Sequence, residues 1–396
     1  MKTARFTLGG VLLLGLGAGT IFACAASDSD PPVADDAGPQ PLPEIDAAPA
    51  EDAGVDADGG GCADAAGCVT TTDCSIVDFC AQSYPTGKTT ALNAIWGTGK
   101  DDFWIVGNRG TILHGNGDTF EVVPTDSTDV VFSVWGTGKD DVWFVDGRSA
   151  LHSTGFVSGA TTLERVLGSS WNEQFASMGR LWAGHTEAAG SIWLGGEPTS
   201  RFTKTFGNSG SFWRLDPDGD GGTFWNKMPA CNTTTRCTPL VRAFWGDGTG
   251  MWAVGMKGQA FVLDDRDAGH WDYRNPQTDG DLEAIWGSSA DDIWAVGELG
   301  AIRHTSGDGP WTVVPSPTSA DLHAIWGSSA NDVWAVGDGG TVLHYDGKEW
   351  ALATIGLSPG DTPVRLNAVW GSGPDNVWIA GNGLLLRRTS ASRKQP

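Results

Sequence analysis

The chain has 396 residues, a formal charge of −23, and a composition in which Trp 20 and Gly 57 stand against only Tyr 3 and Met 5. That length admits two average domains, but all-β repeat architectures often exceed about 200 residues as one unit, and glycine turns between short aromatic-bearing strands favour one large domain. No basic stripe of the density needed for nucleic acid is present, so nucleic acid is excluded as a partner.

The acidity is uneven. Between Ala25 and Gly87 there are 13 Asp/Glu and no Lys or Arg, whereas from Lys88 onward 23 basic face 35 acidic residues. Met1 to Ala23 places Lys2 and Arg5 ahead of an apolar run, Phe6 to Phe22, broken by five glycines. This reads as a secretory signal, too short and glycine-rich for a membrane span. Its end, Ile21-Phe22-Ala23-Cys24, resembles a bacterial lipobox, which implies lipidation of Cys24 after cleavage; Phe22 departs from the small residue usual there. Ordinary cleavage near Ala23 or Ala25 is the competing reading and gives a periplasmic or secreted protein. Ala25 after the cysteine, by the same resemblance, implies the outer membrane. Residues 24–61 are then the lipidated cysteine and a disordered linker of Ala, Asp, Pro and Gly, with too little apolar surface to offset ordering entropy. At roughly 3.1 Å per residue such a linker extends to about 115 Å, so the folded part stands clear of the bilayer.

Six further cysteines in an exported chain make disulfides the default. Cys62, Cys68, Cys74 and Cys80 are evenly spaced six apart, and three connectivities remain open among them. A Cys₄ zinc site competes, but paired zinc ligands favour shorter intervals. Cys231 and Cys237 enclose five residues and are expected to staple one loop.

From there the chain repeats itself. Leu322 to His344, LHAIWGSSANDVWAVGDGGTVLH, matches Leu282 to His304 at 15 of 23 positions. Seven segments share the outline, and their first strands are LNAIWG from Leu92, VFSVWG from Val131, a degenerate GRLWAG from Gly179, VRAFWG from Val241, then Leu282, Leu322 and Leu366. Their tryptophans are Trp96, Trp135, Trp182, Trp245, Trp286, Trp326 and Trp370, at the period of one propeller blade. Within a copy, alternation and turn residues predict four strands: A (LxAIWG), B (DVWAVG), C (GTVLH) and D, which opens on an aromatic such as Trp311 or Trp350. The expected fold is therefore all-β, a seven-bladed propeller of four-stranded antiparallel blades over residues 88–389, with a tail at 390–396. The last copy ends after strand C, so the Cys-rich segment 62–87, through Ser75 to Gln82, is expected to supply the missing strand.

Repeats of the form IWGSSxxDVWAVGxxGxIxH resemble a propeller repeat of bacterial secreted proteins and lipoproteins, and are more distantly similar to tectonin repeats and to the periplasmic sensor propellers of two-component systems. The resemblance implies the fold, and a role in binding glycans, peptides or proteins, or in scaffolding.

Features shared by most blades read as scaffold. The acid pairs Asp101/Asp102, Asp140/Asp141, Asp291/Asp292, Asn331/Asp332 and Asp375/Asn376 all fall at the A-to-B turn, where an Asx side chain bonds backbone two residues on. His114, His152, His304 and His344 all end strand C, and ring symmetry spreads them too far apart to share a metal. One stretch is calcium-like: Asp216, Asp218 and Asp220 with Gly221 match the first half of a DxDxDG loop, but Phe224 and Lys227 occupy later ligand positions, so a solvated turn competes with calcium as the only cofactor in view. No nucleophile elbow, phosphate loop or HExxH motif is present.

Function is then expected in loops that differ between blades. On the face carrying the B-to-C and D-to-A loops stand Arg109, Arg148, Arg201, Lys204, Arg236 and Lys257 in the first four blades, and Glu298 and Asp338 in the next two. Such segregation steers an anionic ligand towards one side of the funnel. The expectation is a monomeric, envelope-anchored binding or scaffolding module for a protein or glycan, touching membrane only through its lipid. The alternative is an exported hydrolase or lyase working in the funnel.

Overall fold

A computed structural model describes residues 68–389 apart from 72, 148, 167–177, 188–189, 199–211, 218–222, 229–239, 266–268 and 359–361. They lie within one compact unit, Asp58–Pro396. Seven sheets form a seven-bladed β-propeller; in blades one to six the four strands run antiparallel in the order A-B-C-D of the sequence, and blade seven borrows its fourth strand from earlier in the chain. Blade six shows the pattern: Leu322–Ser329, Asp332–Gly337, Val342–Tyr345 and Trp350–Leu352. The first strands of successive blades touch around the ring, including Leu366–Gly373 of blade seven against Leu92–Gly99 of blade one, so the circle is closed and the A strands line its centre.

The two tryptophans of each template face each other across strands A and B. Trp96 is opposite Trp104, Trp286 opposite Trp294, Trp326 opposite Trp334 and Trp370 opposite Trp378. Between blades the strand A tryptophan meets a glycine of the next blade. A Cβ added at Gly136, Gly287, Gly327 or Gly371 would sit 2.5 to 2.8 Å from the ring of Trp96, Trp245, Trp286 or Trp326 respectively. In these four blades the glycine following the template tryptophan is thus a packing requirement, since a side chain there would displace the indole that seals the blade interface.

Blade three corrects the reading of its own repeat. Leu181 takes the place of Leu92 or Leu282, and His185, not Trp182, lies opposite the strand B tryptophan, Trp193. The sequence LWAGHT therefore overlays LNAIWG, three residues later than Trp182 suggests. His185 touches the glycine of blade four as the tryptophans do, its Nε2 lying 3.1 Å from a Cβ built on Gly246. Burial lowers the His185 imidazole from 6.5 to about 4. The unfolded chain takes up this proton below pH 6.5, while the folded ring resists until about 4. Stability from this group is therefore complete above pH 6.5 and falls by up to about 3 kcal/mol as the pH approaches 4. Denaturant unfolding at pH 7.5 and 4.5 should show that component missing in His185→Asn.

Closure uses more chain than one strand. Phe79–Ala81 pairs antiparallel with Leu384–Arg388, giving blade seven its fourth strand. Outside it, in parallel, come Ile355–Leu357 and then Cys68–Thr70, so this sheet has six strands. Asp78 fastens the layer, accepting from both the amide and the hydroxyl of Thr354 at 2.8 Å. Phe79 is fully buried and meets Trp334 of blade six edge to face at 5.0 Å. The sulfurs of Cys74 and Cys80 are brought together, with Cα atoms 5.5 Å apart. Arg387 crosses the seam and donates to the carbonyl of Gly117 in blade one at 2.9 Å.

Candidate functional site at the channel mouth

The acid pairs and strand C histidines resolve into one repeated cluster. Asp102 accepts from Thr98 and lies 2.8 Å from His114 Nε2. Asp332 receives Ser328 at 2.5 Å and the Trp334 indole at 3.1 Å, with His344 at 2.7 Å. Asp141 and Asp292 repeat this with His152 and His304. The expected Asx contact to backbone is thus replaced, for the second acid, by side-chain contacts, with the strand C imidazole in all four of these blades and with the strand B indole in all but blade one. The hydrogen bond from His114 holds the Asp102 carboxyl below its ordinary range. In blade three Glu187 takes the acid's role, accepting from the Trp193 indole at 2.6 Å, and Arg214 stacks on that tryptophan. These clusters sit in separate blades, and no group of three metal-ligating side chains occurs among the described residues. Their chemistry is internal to the scaffold.

The calcium-like stretch begins on strand Phe212–Pro217, where Asp216 is opposite Phe224. Its carboxylate accepts from Arg214 Nε at 2.6 Å and from Asn226 at 3.2 Å. Asp218 and Asp220 lie outside the described residues. With Asp216 so engaged, EDTA is expected to leave the melting temperature unchanged; a drop restored by calcium would contradict this.

The opposite face is built differently. In six blades a β-bulge interrupts strand A just after the template leucine or valine, between Leu92 and Ala94, Leu181 and Ala183, Val241 and Ala243, Leu282 and Ala284, Leu322 and Ala324, and Leu366 and Ala368. The bulged residue has no ladder partner, so its side chain is free to serve another purpose. These residues are Asn93, Trp182, Arg242, Glu283, His323 and Asn367, at the loop-face end of the strands that line the channel. Asn93 and Asn367 tie blades together, donating to the carbonyls of Val131 at 3.0 Å and Leu92 at 2.8 Å.

The other four carry charge or aromatic surface. Arg242 stacks on Trp182 at 4.1 Å and lies 3.5 Å from Glu283 and 3.9 Å from Asp281. His323 contacts Asp338 at 2.8 Å and Arg365 at 3.3 Å, and Arg365 donates from Nε to Asn367 at 3.0 Å. Burial raises the Glu283 carboxyl; Arg242, His323 and Arg365 oppose this, and Asp281 adds to it. A mixed network of charges thus surrounds the mouth from blade three to blade seven.

Around it stand the B-to-C turns. Arg109, Lys257 and Leu299 occupy equivalent tips with φ of 55°, 58° and 54°, in the left-handed region, and all are exposed. Each turn is held by its neighbour, the Lys257 and Leu299 amides donating to the carboxylates of Asp281 at 2.8 Å and Asp321 at 2.7 Å. Glu298 and Asp338 are one residue short of the tip. Glu298 accepts from the Asp281 amide at 3.0 Å, and Asp338 holds His323. Of the expected basic set, Arg109 and Lys257 stand on non-adjacent blades; Arg148, Arg201, Lys204 and Arg236 lie outside the described residues, as do Cys24, Cys62, Cys231 and Cys237. Cys68 contributes backbone to an outer strand of blade seven.

The bulge residues were missed from sequence because they occupy the variable x of LxAIWG. Their variation between otherwise matching copies, Asn, Phe, Trp, Arg, Glu, His and Asn, was the available signal.

No protein-family model and no curated protein matches this sequence. Solved structures do match the fold. A structure described as YCF48 bound to D1 peptide has a TM-score of 0.58 at 18% identity, covering 79% of this chain and 97% of that one. YCF48 from Cyanidioschyzon merolae gives 0.58 at 17%, covering 79% and 99%. A streptogramin B lyase gives 0.57 at 14%, covering 78% and 95%. At these identities the likeness is one of fold, and it defines the chain as a seven-bladed propeller.

Proposed function

We propose that this propeller is a binding or scaffolding module that recognises a protein or glycan of the cell envelope through the loop face around its channel mouth. One observation carries the reading: on one face the repeated acids are consumed by their own blades, while on the other, side chains that differ from blade to blade are presented on bulges and left-handed tips. Variation on a rigid ring is how a scaffold acquires specificity. Left-handed φ at Arg109, Lys257 and Leu299 costs roughly 1–2 kcal/mol each, a strain that concentrates at ligand-contacting positions. That a propeller of similar fold has a peptide bound supports a protein partner.

In this reading Cys24 carries the lipid, residues 24–61 form the tether, and the protein is a monomer on the outer membrane; cleavage without lipidation gives the periplasmic or secreted form. Cys74 and Cys80 form a disulfide that pins the closing strand, and Cys231 with Cys237 staples a loop. The basic side includes Arg148, Arg201, Lys204 and Arg236 alongside Arg109 and Lys257. The chain lacking residues 1–61 should capture a ligand from envelope extract, and Ser at Arg109 and Lys257 together should weaken that capture at least tenfold. Unaltered capture would move the ligand off this face.

A second reading has its own observation. Glu283, whose carboxyl burial raises above its ordinary range, lies within electrostatic reach of His323 in the funnel, an arrangement suited to proton transfer in an exported lyase or hydrolase. Turnover of glycan or peptide substrates that is abolished by Glu283→Gln would favour it over binding alone.

A further inference from the structure

His323 meets a different charged group at each ring nitrogen. Nε2 is 2.8 Å from Asp338 Oδ1, and Nδ1 is 3.3 Å from Arg365 Nη2. A guanidinium offers N–H donors and no acceptor, so Nδ1 must be the acceptor in this contact. The ring's single proton is then on Nε2, donated to Asp338, and the imidazole is neutral. Its side chain is only 7% exposed, so neither contact is readily exchanged for water. Arg365 is exposed, yet it is located twice, by His323 and by Asn367, whose own amide is fixed on the Leu92 carbonyl of blade one.

We propose that His323 is a proton-operated latch on Arg365. With the ring neutral, Nδ1 holds the guanidinium at the channel mouth. Uptake of a solvent proton at Nδ1 sets N–H against N–H, ends that contact and releases Arg365 from the ring, leaving Asn367 as its remaining named partner, while the ion pair with Asp338 strengthens. The groups facing the ring are Asp338 from the B-to-C turn of its own blade, Glu283 from strand A of blade five, and Arg365 from the entry to blade seven, with Arg242 and Asp281 beyond Glu283. The two carboxylates favour the added proton and Arg365 opposes it. Histidine titrates in the range where an envelope compartment changes pH, which suits it to such a task. The consequence for binding rests on the loop-face reading: an anionic group would find Arg365 fixed in neutral medium and released in acid.

The test uses the mature chain labelled with ¹⁵N-histidine, the His323 signals being assigned by their loss in His323→Gln. At pH 8 the ring should be the Nε2–H tautomer with a pyridine-like Nδ1. Its titration midpoint should rise by about half a pH unit or more in Arg365→Gln and fall in Asp338→Asn. A double-mutant cycle of His323→Ala with Arg365→Gln, each of which removes the contact, should show favourable coupling at pH 8 that disappears at pH 5. In His323→Gln the amide oxygen can accept from Arg365 and the amide nitrogen can donate to Asp338, so the Arg365→Gln effect in that background should be the same at both pH values. An Nδ1–H tautomer at pH 8, a midpoint indifferent to Arg365→Gln, or coupling equal at pH 8 and pH 5 would overturn the latch. None of these measurements uses a ligand, so their failure leaves the binding role standing, and failure of capture leaves the latch standing.

Discussion

Phe79→Ala is expected to lower the free energy of unfolding by about 3–5 kcal/mol, read as a shift of the urea midpoint followed by tryptophan fluorescence. Phe79 is the fully buried residue of the strand that closes the ring, packed on Trp334 with Ile355, Leu357 and Leu386 in the same core. Truncation leaves a cavity lined by groups on three separate stretches of chain, which cannot collapse together without disturbing the seam. Exposed Ile76, three residues earlier in the same segment, supplies the control: Ile76→Ala should change stability by less than about 0.5 kcal/mol. Equal effects would mean that this segment rests on blade seven without closing it.

Gly258→Ala should cost about 2–4 kcal/mol. Gly258 has φ of 61°, and a Cβ there would lie 1.7 Å from the Thr278 carbonyl oxygen. Both the left-handed backbone and a backbone collision count against the substitution. Gly339 separates the two effects, because its φ is 64° but nothing lies within 4 Å of an added Cβ. Gly339→Ala should cost only about 1 kcal/mol, and the difference measures how tightly a B-to-C turn is seated on the loop leading into the next blade. A seated turn fixes the tip residue beside it, Lys257 in blade four, which is the mechanical basis for a pre-organised loop face. If the two variants lost equal stability, the tips would be loosely held and the face a poor platform for recognition.

Much of this scaffold was readable because the physical need repeats with the blade. Trp326, Trp334 and Asp332 recur since each blade must pack on the next and satisfy a buried indole. Strand B of blade six, Asp332–Gly337, matches the template's DVWAVG. Blade three misled because Trp182 is a tryptophan in a glycine-flanked run, whereas the residue seated at the interface is His185, and only the ladder register separates them. The parallel strands Cys68–Thr70 and Ile355–Leu357 carried no signal, since a three-residue strand added at an edge needs no alternation of its own. The mouth network was hidden for another reason. Glu283, His323 and Arg365 are brought together by closure of the ring across neighbouring blades, and bulges with one extra residue leave the LxAIWG outline unchanged.

The central claim, that ligands are taken on the loop face, is tested most directly by site-specific photo-crosslinking on a single blade. Leu299 and Val313 both belong to blade five and are 81% and 57% exposed, the first on the loop face and the second on the outer strand. A photoreactive residue at position 299 should yield a discrete adduct with a component of envelope extract, competed by the unmodified domain, and the same residue at 313 should not. Adducts at 313 with none at 299 would place recognition on the rim of the propeller and contradict the account.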